Sequence, residues 1–227
     1  MKQLVIFGNG EIAELAHYYF STDSGYQVEG FTVDAEYLET DSFCGLPIVP
    51  FEELPKSHPP EEFDLFIALS YAKLNRVRQV KFEQALGMGY KLATYISSKS
   101  ACAENVSFGK NCFVLENQTV QPFCRIGDNV TLWSGNHIGH HSTIADHTFV
   151  SSHVVVSGLC TIGQRCFIGV NSTIRDNCVI GDEVMIGMGA KITVNLNTGA
   201  VVLANADEPL DAEDRRARAI KRSYFGI

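Results

Sequence analysis

Five of the seven histidines fall within seventeen residues: His137, His140, His141, His147 and His153. Imidazole titrates near neutrality, so such a group can ligate a metal or serve as general base toward an amine or hydroxyl. A second chemical signal lies at the N-terminus, where Gly8-Asn9-Gly10 and then Ala13 follow an apolar run. That spacing, after a strand and before a helix, suits an anion. Glycines let the backbone approach a phosphate, and the helix start supplies free N–H groups. Asp34 comes where such folds place an acceptor for a ribose hydroxyl. The second mononucleotide half is missing, so one nucleotide fits better than a dinucleotide.

The elements that must position these residues are of two kinds. Residues 106–195 divide into fifteen hexads without insertion or deletion. The third position is apolar throughout, from Phe108 and Val114 to Ile186 and Ile192. The first is mostly small, with Gln118 and Asn136 as exceptions, and the fourth is often glycine, which suits a tight corner. Two weaker hexads extend the phase back to Thr94. Such a period matches neither helix nor hairpin. Positions one and three share one side of a short strand, and the rest of the hexad turns. Three turns close an eighteen-residue triangular coil, and stacked coils make a parallel β-helix.

Ahead of the repeat, strands alternate with helices. Strands are expected over residues 2–7, 26–33, 44–49 and 64–69, and helices over 11–20 and 72–86, with Gly87 as cap. Alternation of this kind implies a small Rossmann-like parallel sheet. The expected units are therefore a nucleotide-binding domain at 1–93, a β-helix at 94–197, and a loop with a charged helix (211–223) at 198–227.

The hexad phase bears directly on the histidines. His141, His147 and His153 all take position six and therefore occupy three different corners, so they cannot converge on one ion. A catalytic zinc needs three placed protein ligands. His137 and His140 share a corner region, but nothing identifies a third ligand, and no metal site is expected. A general base is the better use for one of them. Residues eighteen apart stack about 4.8 Å from one another, and eighteen beyond His140 is Gly158. A glycine there leaves its N–H open as a candidate oxyanion donor.

Composition narrows the partners. A formal charge of −8 argues against nucleic acid or a membrane surface as partner. No apolar stretch is long enough to span a bilayer, and no signal peptide is expected. Cys112, Cys124, Cys160, Cys166 and Cys178 take hexad position one, where cysteine packs as a small hydrophobe. The chain reads as reduced and cytoplasmic.

A strand–Gly-x-Gly–helix domain followed by a hexapeptide prism resembles the PglD/NeuD family of sugar acetyltransferases, over about residues 2–195. The resemblance implies a left-handed β-helix and a homotrimer with acetyl-CoA bound between adjacent prisms. It implies acetylation of an amino group on a nucleotide-linked amino sugar of 4-amino-4,6-dideoxy type, or of a sialic-acid-type hydroxyl. The family motif aligns with Ile138-Gly139-His140-His141, which makes His140 the base, and its oxyanion glycine falls on Gly158. It implies cofactor contacts at Val170, Asn171, Gly187 and Gly189. Acceptor contacts are implied at Gly8, Asn9, Gly10, Asp34, Ser70 and Asn75. Two departures stand out. His141 replaces the carboxylate that orients the base, with Asp146 and Asn136 as other groups for that role. Ala204-Asn205-Ala206-Asp207 replaces the usual CoA-holding loop. Two readings from other classes follow from the same residues: a non-catalytic sugar-nucleotide scaffold, and a zinc enzyme similar to γ-class carbonic anhydrases.

Overall fold

The computed structural model describes residues 2–204 and 213–225. Its N-terminal part comprises β1 (Lys2–Phe7), α1 (Glu11–Thr22), β2 (Tyr26–Val33), β3 (Ser42–Phe43), β4 (Leu46–Pro50), α2 (Leu54–Ser57), β5 (Phe63–Ile67), α3 (Arg76–Gly87) and β6 (Lys91–Leu92). The sheet order is β3-β4-β2-β1-β5-β6, parallel except for the β3–β4 hairpin. β1 is central and buried from Leu4 to Phe7, which explains its unbroken apolar run. α1 covers one face through Ala13, Ala16 and Phe20, and α3 the other through Phe82 and Ala85. The strand order reverses at the C-terminal end of β1, where ligands bind in open sheets of this type. The Rossmann-like expectation holds.

Of the boundaries that differ from the sequence reading, three have a clear backbone reason. The third main strand starts at Leu46 because Cys44 (φ 49) and Gly45 (φ 78) form the hairpin turn before it. α3 starts at Arg76 rather than residue 72, because Lys73, Leu74 and Asn75 have φ of 50, 53 and 64. Gly87 is the last helical residue, and Gly89 (φ 91) takes the left-handed position beyond it.

The repeat folds as a triangular parallel β-helix. Positions two and three of every hexad form a two-residue strand, from Tyr95–Ile96 to Lys191–Ile192. The strands make three faces of seven, six and five strands. Partners lie eighteen residues apart, as in Phe113↔Thr131 and Ile138↔Val156. Position-three side chains fill the core, Val114, Ile138, Ile168 and Ile186 among them. Position one does more than pack. The thiols of Cys112, Cys124, Cys160 and Cys166 donate to the carbonyls of Gly127, Gly139, Arg175 and Gly181, fifteen residues on. Ser142, Thr148 and Ser172 do the same. Small donors recur there because corner carbonyls next to an apolar core need a partner.

The turning residue is position six, not the glycine at position four. Position six has positive φ at fourteen successive corners from Asn111 to Gly189. Glycine at position four answers a close approach instead: a Cβ on Gly139 would lie 2.5 Å from the Gly158 nitrogen in the next coil. Beyond Asn195 the period shortens rather than stops. Leu196 bridges Ile180 and Val201–Val202 pairs with Met185–Ile186, sixteen residues back, inside the stretch expected to be loop. α4 spans Arg215–Phe225, four residues later than expected at its start. Of the altered loop, residues 205–207 lie outside the described residues.

The N-terminal part is docked on the seven-stranded face. Tyr95, Phe113 and Leu115 of the prism share a core with Phe20, Phe66 and Ala13. Asn111 binds both backbone groups of Ile67 at the end of β5, at 2.8 and 3.2 Å. Asn111 then donates to Asn129, and Asn129 to Nδ1 of His147, both at 2.9 Å. This ladder of position-six side chains runs up one edge of the prism beneath the N-terminal domain.

Candidate active site

The prism has three edges, and each carries different chemistry. The edge of Asn111, Asn129 and His147 is covered. His147 is 7% exposed, packs on Phe82 of α3 at 5.4 Å, and is pushed to lower pKa by burial. Beside it Arg78 is buried with no carboxylate partner among the described residues. It donates to Thr131 Oγ1, to Asn75 Oδ1 and to the carbonyls of His147 and Thr148. Burial brings its guanidinium down to about 10, still charged at neutral pH.

The next edge, with the loop after β5 and the start of α1, encloses a cavity of about 480 Å³. Ile12, Ser70 and Tyr71 line it from the N-terminal domain; Trp133, Phe149, Phe167, Val170 and Gly187 line it from the prism. Phe149 and Phe167 stack at 5.8 Å, Tyr71 meets them at 5.0 and 4.8 Å, and the Arg78 guanidinium lies 5.8 Å from the Phe149 ring. The wall is aromatic, with a buried cation behind it. At the end of β1, Gly8 has φ 130, and a Cβ on it would lie 2.9 Å from the Ala68 carbonyl. Only glycine lets β1, β5 and α1 meet so closely. Gly10 opens to free space and precedes α1, whose first turn has no side-chain cap. Asn9 is exposed and donates to the Tyr37 carbonyl at 3.3 Å.

Several expected acceptor and cofactor contacts sit elsewhere. Asn75 is fully buried: its amide donates to the Cys166 carbonyl at 3.0 Å and its oxygen accepts from Arg78. It fastens the start of α3 to the prism and does not reach the cavity. Asp34 is held by Lys81 of α3 at 2.5 Å, in a separate cleft with Phe51 and Glu52. Asn171 and Gly189 lie beside the cavity rather than on its wall, Gly189 N donating to the Val170 carbonyl at 2.8 Å. Another cleft, of about 390 Å³ at Tyr18, Asp23, Lys99 and Glu116, has engaged carboxylates. Glu116 accepts from Tyr19 and Ser134, while bonds from Ser98 and Tyr95 hold Asp23 at about 2.

The third edge lies opposite the docked face and carries the exposed His140 and His141. His140 N donates to Gln121 Oε1 at 2.9 Å, and its ring lies over Gly158: a Cβ there would be 2.8 Å from both Cε1 and Nε2. The Gly158 carbonyl accepts from Asn177, while its N–H donates to no group among the described residues. Nδ1 of His140 is 3.1 Å from Nδ1 of His141. The other two candidate orienting groups are elsewhere. Asn136 is buried and bonded to Trp133 and Val154, and Asp146 accepts from Asp128 N on the covered edge. His153 is exposed on the cavity edge, over Gly135. The three position-six histidines thus occupy three edges, as the phase required. His147 is nonetheless sealed, because the phase assigns an edge without saying what covers it.

The bacterial transferase hexapeptide (six repeats) matches residues 123–158 and 159–193. No curated protein sequence matches the chain. Among solved structures, the acetyltransferase domain of PglB from Neisseria gonorrhoeae is 23% identical with a TM-score of 0.79, covering 92% of this chain and all of that one. A histidine-to-asparagine variant of perosamine N-acetyltransferase from Caulobacter crescentus, solved with CoA and GDP-perosamine, is 21% identical with a TM-score of 0.81, covering 91% and 98%. WeeI from Acinetobacter baumannii is 18% identical at 0.55, covering 92% and 100%. Over the 91–92% of the chain that these matches cover, both parts included, the fold is that of these proteins.

Proposed function

We propose that the protein is an acetyl-CoA-dependent acetyltransferase acting on the amino group of a nucleotide-linked amino sugar. The observation that carries this reading is His140 set against Gly158 on the prism's free edge. Nε2 of His140 takes a proton from the sugar amine as its nitrogen attacks the thioester carbonyl. The N–H of Gly158 receives the oxyanion, and the CoA thiolate leaves with the proton returned from His140. Gly8, Asn9 and Gly10 at the start of α1 suit the acceptor's diphosphate, and Ser70 with the aromatic wall suits the remainder. Val170 and Gly187 share this cavity, and Asn171 and Gly189 extend it outward, toward an incoming CoA. The perosamine N-acetyltransferase complexes with CoA and GDP-perosamine support the choice of donor and acceptor. A reaction using acetyl-CoA supports a cytoplasmic location.

Within one subunit the cavity and His140 occupy different edges of a closed prism. A complete site therefore needs the free edge of one copy against the cavity edge of another, which supports a cyclic trimer. His140→Ala should lower kcat by about 10²–10⁴-fold, measured as CoA thiol release with nucleotide-linked amino sugars, with the Kd for CoA unchanged. Mixing that variant with a Gly10→Asp variant should restore part of the activity. Full activity of His140→Ala on its best acceptor would overturn the reading, and a monomer in light scattering with activity intact would overturn the shared site.

A further inference from the structure

The free edge holds two imidazoles where one base would suffice, and their geometry assigns the second a role. Nδ1 of His140 and Nδ1 of His141 are 3.1 Å apart, so one of them must carry the proton between them. His141 is held at its backbone and packed on one ring face. Its backbone is left-handed (φ 57), its N–H donates to the Pro122 carbonyl at 3.1 Å, and its ring packs on Phe123 at 4.6 Å. We infer that His141 is a positioning residue that accepts the Nδ1 proton of His140 as a neutral imidazole, so that the base works only while both rings are unprotonated. This rests on the reading of His140 as the base.

The tautomers follow from the contact. To accept a proton at Nε2, His140 must carry its own proton on Nδ1 and donate it to an unprotonated Nδ1 of His141. His141 then carries its proton on Nε2. If His141 gains a second proton, its Nδ1–H faces His140 and forces the His140 proton onto Nε2, which removes the base. A carboxylate in that place would accept without titrating near neutrality. An imidazole adds a second proton to the acid limb. Other charges stand back from the pair. Along the same edge Glu104 and Asp176 are two coils away, about 10 Å by the strand spacing; Arg175 stands beside Asp176, and His137 and Arg125 lie on the adjoining faces. The groups packed against the rings are Phe123 and Gly158, while Gln121 Oε1 accepts from the His140 backbone N–H.

Asparagine provides the test. Its Oδ1 lies at the branch position of histidine Nδ1, it accepts without titrating, and it tolerates left-handed φ. Asn111, Asn117, Asn129, Asn171 and Asn177 already fill position six at other corners. His141→Ala should lower kcat tenfold or more with KM for acetyl-CoA unchanged, and His141→Asn should recover most of that loss at pH 8. In the native protein log kcat should steepen below neutrality from a slope of 1 toward 2, and in His141→Asn it should stay at 1. An NMR titration of the His140 ring, needing no substrate, should show two coupled steps in the native protein and one in His141→Asn. Unchanged kcat in His141→Ala, or the same two-step titration in His141→Asn, would overturn the inference. Absence of thiol release from the native protein with every acceptor would instead remove the acetyl-transfer reading, while the ring titration still decides whether the pair is coupled.

Discussion

Replacing Gly158 with alanine separates catalysis from folding at a single methyl group. The added Cβ would lie 2.8 Å from Cε1 and Nε2 of His140 and 3.3 Å from Cδ2. Carbon contacts settle at about 3.5–4.0 Å, so the imidazole must retreat by roughly 1 Å. His140 is exposed and can swing away, and Gly158 does not have the left-handed φ that would strain alanine. Stability should therefore hold within about 1 kcal/mol, since glycine to alanine at a compatible φ is neutral to mildly stabilising. The N–H proposed to hold the oxyanion is retained. Only the base is displaced, and a misplacement of about 1 Å costs on the order of 10²-fold in kcat. Gly139, one coil below, is the control. A Cβ there meets the Gly158 nitrogen and the Ser157 carbonyl carbon, both at 2.5 Å. Backbone held in the ladder cannot swing aside, and Gly139 N itself donates to the Val156 carbonyl at 2.7 Å. Overpacking of this sort costs about 3 kcal/mol at the upper end of the usual range. For a chain of this size that is about 6–12 °C in Tm. Steady-state thiol release and thermal melts on both variants are the assays. Native kcat in Gly158→Ala, or a melt lowered as far as in Gly139→Ala, would refute the assignment of His140 over Gly158.

Arg78→Met keeps much of the side chain's volume but strands the His147 carbonyl and Asn75 Oδ1 and removes the donor to Thr131 Oγ1, while the Thr148 carbonyl keeps the Thr131 N–H. It should cost about 3 kcal/mol and raise amide exchange in α3 before the prism; an unchanged or raised Tm would contradict the gluing role. His147 sets a pH dependence of stability. Burial lowers its folded pKa, so below the unfolded value of 6.5 the unfolded chain binds more protons and stability falls with pH, while above 6.5 the effect vanishes. His147→Asn keeps an acceptor for Asn129 and should flatten the decline in Tm below pH 6.5. The flattening is partial, because burial of His58 acts in the same direction. An equal slope in both proteins would show that His147 is not the buried group that titrates.

The prism was legible because a six-residue period reports directly which side chains point inward, and a slip of one residue would turn every one of them outward. The same period placed His140 beneath Gly158 and sent three histidines to three edges. What it does not report is the environment outside each edge. His147 and His153 share a hexad position, yet one is sealed under α3 and the other is exposed, because contacts between Phe82 and His147 span 65 residues and leave no local pattern. The partners of Asp34 and Asn75 were hidden for the same reason. Each stands where a ligand contact is expected, and each is bound instead by a partner from a distant segment, Lys81 and the Cys166 carbonyl. The position-six turn was hidden by its variety: asparagine, histidine, leucine, arginine and glutamate all adopt it, since stacking neighbours hold the corner whatever the side chain. That tolerance matters for the free edge. A corner that accepts almost any residue leaves His141 unexplained by the fold, so its chemistry must be sought in the ring it touches, His140.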